Sequence, residues 1–94
     1  MGQEPVTDER TALIEYPCEF PIKVMGINAD GFAQGVFEAV LRHAPGFDPA
    51  TVQMRASGKG NYLSLTCTFH AYSQTQVDAL YRELTGHPLV KVVL

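Results

Sequence analysis

The sequence predicts an α+β domain in which two helices cover one face of a four-stranded antiparallel sheet. Three observations predict it. Residues 62 to 70, YLSLTCTFH, alternate oily and polar side chains, the period-two signature of a strand with one buried and one wet face. Two other stretches, one before and one after this strand, carry apolar residues at spacings of three and four, the signature of amphipathic helices. The periods follow one another in the order β-α-β-β-α-β, the split βαβ plan of ferredoxin-like domains.

Each element has its own signals. Residues 1 to 11 are polar and aperiodic and predict a loose tail, which leaves 12 to 94 as one domain. Residues 12 to 16, ALIEY, fit one helical turn that Pro17 ends. In FPIKVMG, Phe20, Ile22 and Val24 face one way, Lys23 and Met25 face the other, and Gly26 closes the strand. Asn28 carries the side-chain oxygen of an N-cap, and the helix that follows runs to about His43. Its face is Phe32, Val36, Val40 and His43, with Ala39 between. Gly31 and Gly35 each cost roughly 1 kcal/mol against alanine, so something packs closely there, and the sheet is the expected neighbour. Pro45 and Gly46 stop the helix, and Asp48 and Pro49 continue the loop.

In TVQMRAS, Val52, Met54 and Ala56 oppose Gln53, Arg55 and Ser57. SGKGNY then predicts a hairpin turn with positive φ at Gly58 and Gly60. In the strand after it, Leu63, Leu65, Cys67 and Phe69 point one way and Tyr62, Ser64, Thr66, Thr68 and His70 the other. Ser73 and Gln76 form an S-x-x-Q capping box. Val77, Leu80, Tyr81 and Leu84 form the second helical stripe, and Gly86 supplies a left-handed stop. LVKVVL is a last strand, with Leu89 and Val93 on one side and Val90, Val92 and Leu94 on the other. Right-handed crossovers place both helices on one sheet face. One apolar set of the last strand then lacks a cover, which predicts a homodimer.

Bulk properties narrow the function. The chain has 94 residues, 46% hydrophobic and 18% charged, enough for one real core. A formal net charge of −3 argues against a nucleic-acid binder, which neutralises phosphates with excess Lys and Arg. No run approaches the apolar length that spans a bilayer, and MGQEPVTDER has neither the apolar core of a signal peptide nor basic transit character. Val6 stands where a myristoylation motif wants Ser or Thr, so the cytoplasm is the expected location. Cys18 and Cys67 belong to no CxxC pattern and make neither a disulfide scaffold nor a zinc site.

The candidate motifs are weak. SGKGNY fails as a P-loop: Lys59 is followed by Gly60, Gln53 stands where the first glycine belongs, and a strand rather than a helix follows. What remains is a turn in which Lys59, Asn61 and Tyr62 are placed to touch an anion or a partner. Acylphosphatases share this fold class and carry a G-x-V-Q-G-V run that leads to a catalytic arginine. Here QGVF leads to Glu38, and its distance from Gly26 is too long, so the match is coincidental. His43, His70 and His87 lie in separate connections and predict no trio, catalytic or metal-binding. Ser64 and Thr66 need an adjacent base to act as nucleophiles, and Asp30 with Glu38 reads as solvated helix charge. Tyr62 lacks the surrounding pattern of an RNA-stacking strand.

From about Leu13 to Leu94 the chain resembles the YbeD-like family of small bacterial proteins, on EYPCEFPIKVMG, RHAPGFDP, SGKGNYLSLT and LVKVVL. The family's turn typically reads S-S-K-G-N-Y, so Gly58 is a departure. The resemblance implies a ferredoxin-like domain similar in shape to ACT-type regulatory domains, which bind small molecules at dimer interfaces near the first strand-to-helix loop. Carried onto this chain, that loop is Gly26, Ile27, Asn28, Ala29 and Asp30. The family passes on no catalytic residue and no cofactor. The expected function is a non-enzymatic, dimeric module with a regulatory or small-ligand-sensing role. The alternatives are an adaptor that uses the open sheet face for a protein partner, and a small acylphosphatase-type hydrolase.

Overall fold

The structure, a computed structural model, describes residues 15–94. The expected tail over 1 to 11, and residues 12 to 14 of the expected helical turn, lie outside the described residues. The elements are β1 (Cys18–Ile27), α1 (Phe32–His43), a 3-10 turn (Pro49–Thr51), β2 (Gln53–Ala56), β3 (Tyr62–Ala71), α2 (Gln74–Thr85) and β4 (Val90–Val93). The four strands form one antiparallel sheet in the order β2-β3-β1-β4. This is the ferredoxin-like α+β fold read from the sequence.

The period-two pattern of β3 works as expected. Leu65, Cys67, Phe69 and Ala71 are buried, and they meet Ile22 and Val24 of β1 under Phe32, Val36 and Val40 of α1 and Val77, Leu80 and Leu84 of α2. β1 is longer than its apolar run suggests because β3 pairs with it over its full length, from Cys18 opposite Ala71 to Ile27 opposite Tyr62. β2 is short and exposed throughout, because only β3 flanks it. Its register sets Gln53 opposite Thr66 and Arg55 opposite Ser64.

Several local expectations are corrected. Gly31, not Asn28, caps α1, with φ of 88° and no side-chain cap. The turn from strand to helix needs a left-handed step that glycine takes without steric cost. Gly35 is crowded by His87 rather than the sheet: a Cβ there would lie 2.6 Å from His87 Nε2. That ring is held in place because its Nδ1 accepts from the Leu89 N–H. In the hairpin turn only Gly60 has positive φ, at 75°, while Gly58 does not. Gly86 is right-handed, with φ of −85°; its N–H still satisfies the last carbonyls of α2, those of Arg82 and Leu84. Tyr81 leaves the buried stripe of α2, being 45% exposed, and its hydroxyl donates to the Val93 carbonyl.

β4 is also re-sorted. The register with β1 slips at Met25 and Gly26, so that Gly26 pairs with Val90, Met25 with Val92 and Val24 with Val93. Lys91 is the extra residue of this bulge. Val90 therefore packs against the core beside Leu89, and only Val92 and Leu94 are left on the far face with Met25.

The S-x-x-Q box does more than cap. Ser73 Oγ accepts from the Gln76 N–H at 3.2 Å, as a cap should. The Gln76 side chain, however, reaches outward, accepting from the Tyr72 N–H and donating to the carbonyls of His43 at 2.7 Å and His70 at 3.3 Å. One glutamine thus ties the start of α2 to the ends of α1 and β3.

Candidate functional site

The two clusters singled out in the sequence meet in space. The strand-to-helix loop and the hairpin turn are joined by Asn28, whose backbone N–H donates to the Asn61 carbonyl at 2.9 Å and whose side-chain amide donates to the Gly60 carbonyl at 2.9 Å. Asn28 lies three residues before the Gly31 cap, and its side chain serves as a long-range anchor. The turn also closes on itself, with the Gly60 N–H donating to the Ser57 carbonyl and the Tyr62 N–H to Ser57 Oγ.

The space at Gly26 is already filled. A Cβ there would lie 2.3 Å from the Leu89 carbonyl oxygen and 2.4 Å from the Phe32 ring. The close approach that Gly26 permits is thus to protein. Ile27 belongs to the sheet, and its N–H donates to the Leu89 carbonyl. Asn28, Ala29 and Asp30 are exposed, as are Lys59, Asn61 and Tyr62. Lys59 forms no salt bridge among the described residues.

A different constellation lies on the sheet face that the helices leave uncovered. β3 runs between β1 and β2, so Ser64 and Thr66 sit in the middle, with Lys23 opposite Thr66 on one side and Arg55 opposite Ser64 on the other. Lys23, Arg55, Ser64 and Thr66, with Gln53, line a concavity of about 300 Å³. A second concavity of about 170 Å³ adjoins it and shares Lys23, Arg55 and Ser64, with Met25 and Tyr62 extending its wall. Neither Lys23 nor Arg55 forms a salt bridge among the described residues. The alternation of β1 and β3 already placed Lys23, Ser64 and Thr66 on the open face. Only the register of β2 brings Arg55 to them.

Other polar groups pair within the fold. Arg42 and His43 both bind the Glu83 carboxylate, His43 Nε2 at 2.8 Å from Oε1. The bond from Arg42 foremost, and that from His43 behind it, hold the Glu83 carboxyl below the usual carboxylate range against the opposing effect of burial. His70 pairs with Glu19 at 3.2 Å at the other end of the open face, with the Tyr72 ring edge-on to it. The three histidines therefore stay apart. Among the described residues no group of three or more His, Cys, Asp or Glu converges as metal ligands would. Burial pushes the Cys67 thiol up to about 11, so it stays protonated and packs as a small apolar side chain. No helix among the described residues is long and apolar enough to cross a membrane.

Comparison with known proteins places the chain. Its fold matches the solution structure of protein HP0495 from H. pylori with a TM-score of 0.72, covering 100% of this chain and 98% of that one; at 17% identity this likeness shows the fold alone. A UPF0250 protein of Bordetella pertussis is 59% identical over 83 residues, 88% of this chain and 91% of that relative. A UPF0250 protein of Nitrosomonas europaea is 53% identical over 83 residues, 88% of this chain and 95% of that relative. The model of one family, described as protein of unknown function (DUF493), matches residues 11–94. With that match over most of its length, and with UPF0250 relatives at this level of identity, the chain belongs to the DUF493 family, the YbeD-like family it resembles in sequence.

Proposed function

We propose that this chain is a non-catalytic, regulatory binding module whose working surface is the uncovered face of its sheet. The observation that carries the reading is the convergence of Lys23 and Arg55 on the Ser64 and Thr66 hydroxyls over a concave surface that no other element among the described residues covers. The same register argues against a nucleophile there. The cross-strand neighbours of Ser64 and Thr66 are Lys23, Met25, Gln53 and Arg55, and no histidine or carboxylate stands among them to serve as the adjacent base a hydroxyl nucleophile needs. Two cations and two hydroxyls hold a ligand; they do not by themselves turn it over.

Amide-shift mapping of the 15N-labelled full chain against a mixed fragment library tests this. Binders are expected to move the amides of 53–55 and 64–66. Fragments that bind only on the helical side would sink the reading, and turnover of an acyl phosphate would overturn its non-catalytic part.

A second reading, association with another copy, has its own support. Val92 is 43% and Leu94 69% exposed, on the same face as Met25. An apolar group of this kind on an open sheet gains from being covered.

A further inference from the structure

We propose that the ligand of this face is a small anion bearing an apolar substituent. Its charged group sits between Lys23 and Arg55 above Ser64 and Thr66, and its apolar part lies against Met25 and Tyr62. The inference rests on the binding-module reading above and adds the ligand's chemistry.

Charge is the first argument. The chain is acidic overall, at −3, yet this part of the face carries two cations and no carboxylate. The acidic side chain that β1 does place on the open face, Glu19, is engaged by His70. It stands four residues before Lys23, about 13 Å away along an extended strand. Arg42, by contrast, has found Glu83. Lys23 and Arg55 are thus held on one surface, and neither forms a salt bridge among the described residues.

Geometry is the second. β1 and β2 flank β3, so their backbones lie about 10 Å apart, a span that two long side chains leaning inward close around one small group. Arginine offers a planar fork matched to a carboxylate or phosphate, and lysine adds a point charge from the opposite side. The hydroxyls of Ser64 and Thr66 and the Gln53 amide supply further donors on the floor and rim. Two cations suit one anionic group and fall short of the row needed to follow a polyanion.

The third argument is the adjoining concavity. Beyond the shared Lys23, Arg55 and Ser64, the side chains that face it from the open side include Met25 and the Tyr62 ring, which is 51% exposed, with Ser57 at the turn. A ligand anchored by its charge would leave this wall wet unless it also carried an apolar body. Small-molecule sites commonly combine such a wall with a few placed polar groups.

The test titrates the 15N-labelled full chain with 3-phenylpropanoate, phenyl phosphate, the neutral 3-phenylpropanol, and acetate. Both aryl anions are expected to shift the amides of Arg55, Ser64 and Thr66, binding about tenfold tighter than the alcohol or acetate. Whichever of the two binds tighter names the anion, carboxylate or phosphate. Lys23→Gln and Arg55→Gln change solvent-facing side chains, and unchanged amide dispersion away from the site verifies their fold. Each is expected to weaken the aryl anions several-fold and leave the alcohol unaffected. Equal binding of alcohol and anion on these amides would overturn the anion assignment and leave the sheet-face reading intact. Acetate binding as tightly as the aryl anions would overturn the apolar part. Failure of every probe and of the fragment library to touch this face would remove both the inference and the reading beneath it.

Discussion

Gly26 shows how one residue can look like a ligand site and be a packing site. Its position between a strand and a helix suggests close approach of a small molecule, but the Phe32 ring and the Leu89 carbonyl occupy that space. Because one of these is backbone, it cannot swing aside. Gly26→Ala is expected to cost about 3 kcal/mol, read as a lowered urea midpoint; an unchanged midpoint would mean the ring and strand yield freely. The two glycines of the hairpin turn separate for a different reason. Gly60 has a φ of 75°, whereas Gly58 has neither positive φ nor a neighbour within 4 Å of an added Cβ. Gly60→Ala should therefore lose about 1 kcal/mol. Gly58→Ala should be neutral or gain about 0.5 kcal/mol by restricting the unfolded chain. Thermal unfolding of the pair checks the contrast, and equal effects would refute it. Neither difference was legible in SGKGNY itself, because φ depends on how the turn closes rather than on the residue type.

Among the elements, the helices are joined by polar clasps as well as by their stripes. Gln76 is read from the sequence as a cap, yet its side chain accepts from the Tyr72 N–H and donates to two carbonyls outside its helix. Gln76→Glu keeps the shape but removes the donor and faces those carbonyls with a carboxylate. A loss of about 2 kcal/mol is expected, against little change if the glutamine acted only within its own helix. The Arg42–His43–Glu83 cluster joins the last turn of α1 to α2 and makes stability depend on pH. Glu83 is held below its unfolded value, so its contribution is present above the unfolded carboxylate range and is lost as pH falls through the lower folded value. Urea midpoints of wild type and Glu83→Gln should thus differ at neutral pH and converge in acid; a gap that stayed constant with pH would contradict this. The effect is modest, since the cluster is partly open to solvent. Sequence periodicity located both helices well because the apolar stripe is a local signal. It missed the clasps because their partners are more than thirty residues away in sequence.

For the whole molecule, the open face divides into two parts. Lys23 of β1 joins Arg55, Ser64 and Thr66 of β2 and β3 in a cationic and hydroxylic part, and Met25, Val92 and Leu94 of β1 and β4 form an apolar part. The β4 edge is poorly suited to adding a strand, because it is short and bulged at Lys91. A second copy would therefore pack on the face. If it does, light scattering should give a mass approaching twice 10.3 kDa as concentration rises, and Val92→Lys with Leu94→Lys should return it to 10.3 kDa. A mass of 10.3 kDa at every concentration would end the dimer reading. By itself the sequence determined the fold class, the element order, the core of β3 and both helical stripes, because alternation and helical periodicity are written in neighbouring residues. Only the tertiary structure decided that Asn28 anchors the hairpin turn, that Lys91 bulges so Val90 turns inward, and that Arg55 stands across β3 from Lys23. These outcomes depend on strand register, and a slip of one residue would send each side chain to the opposite face.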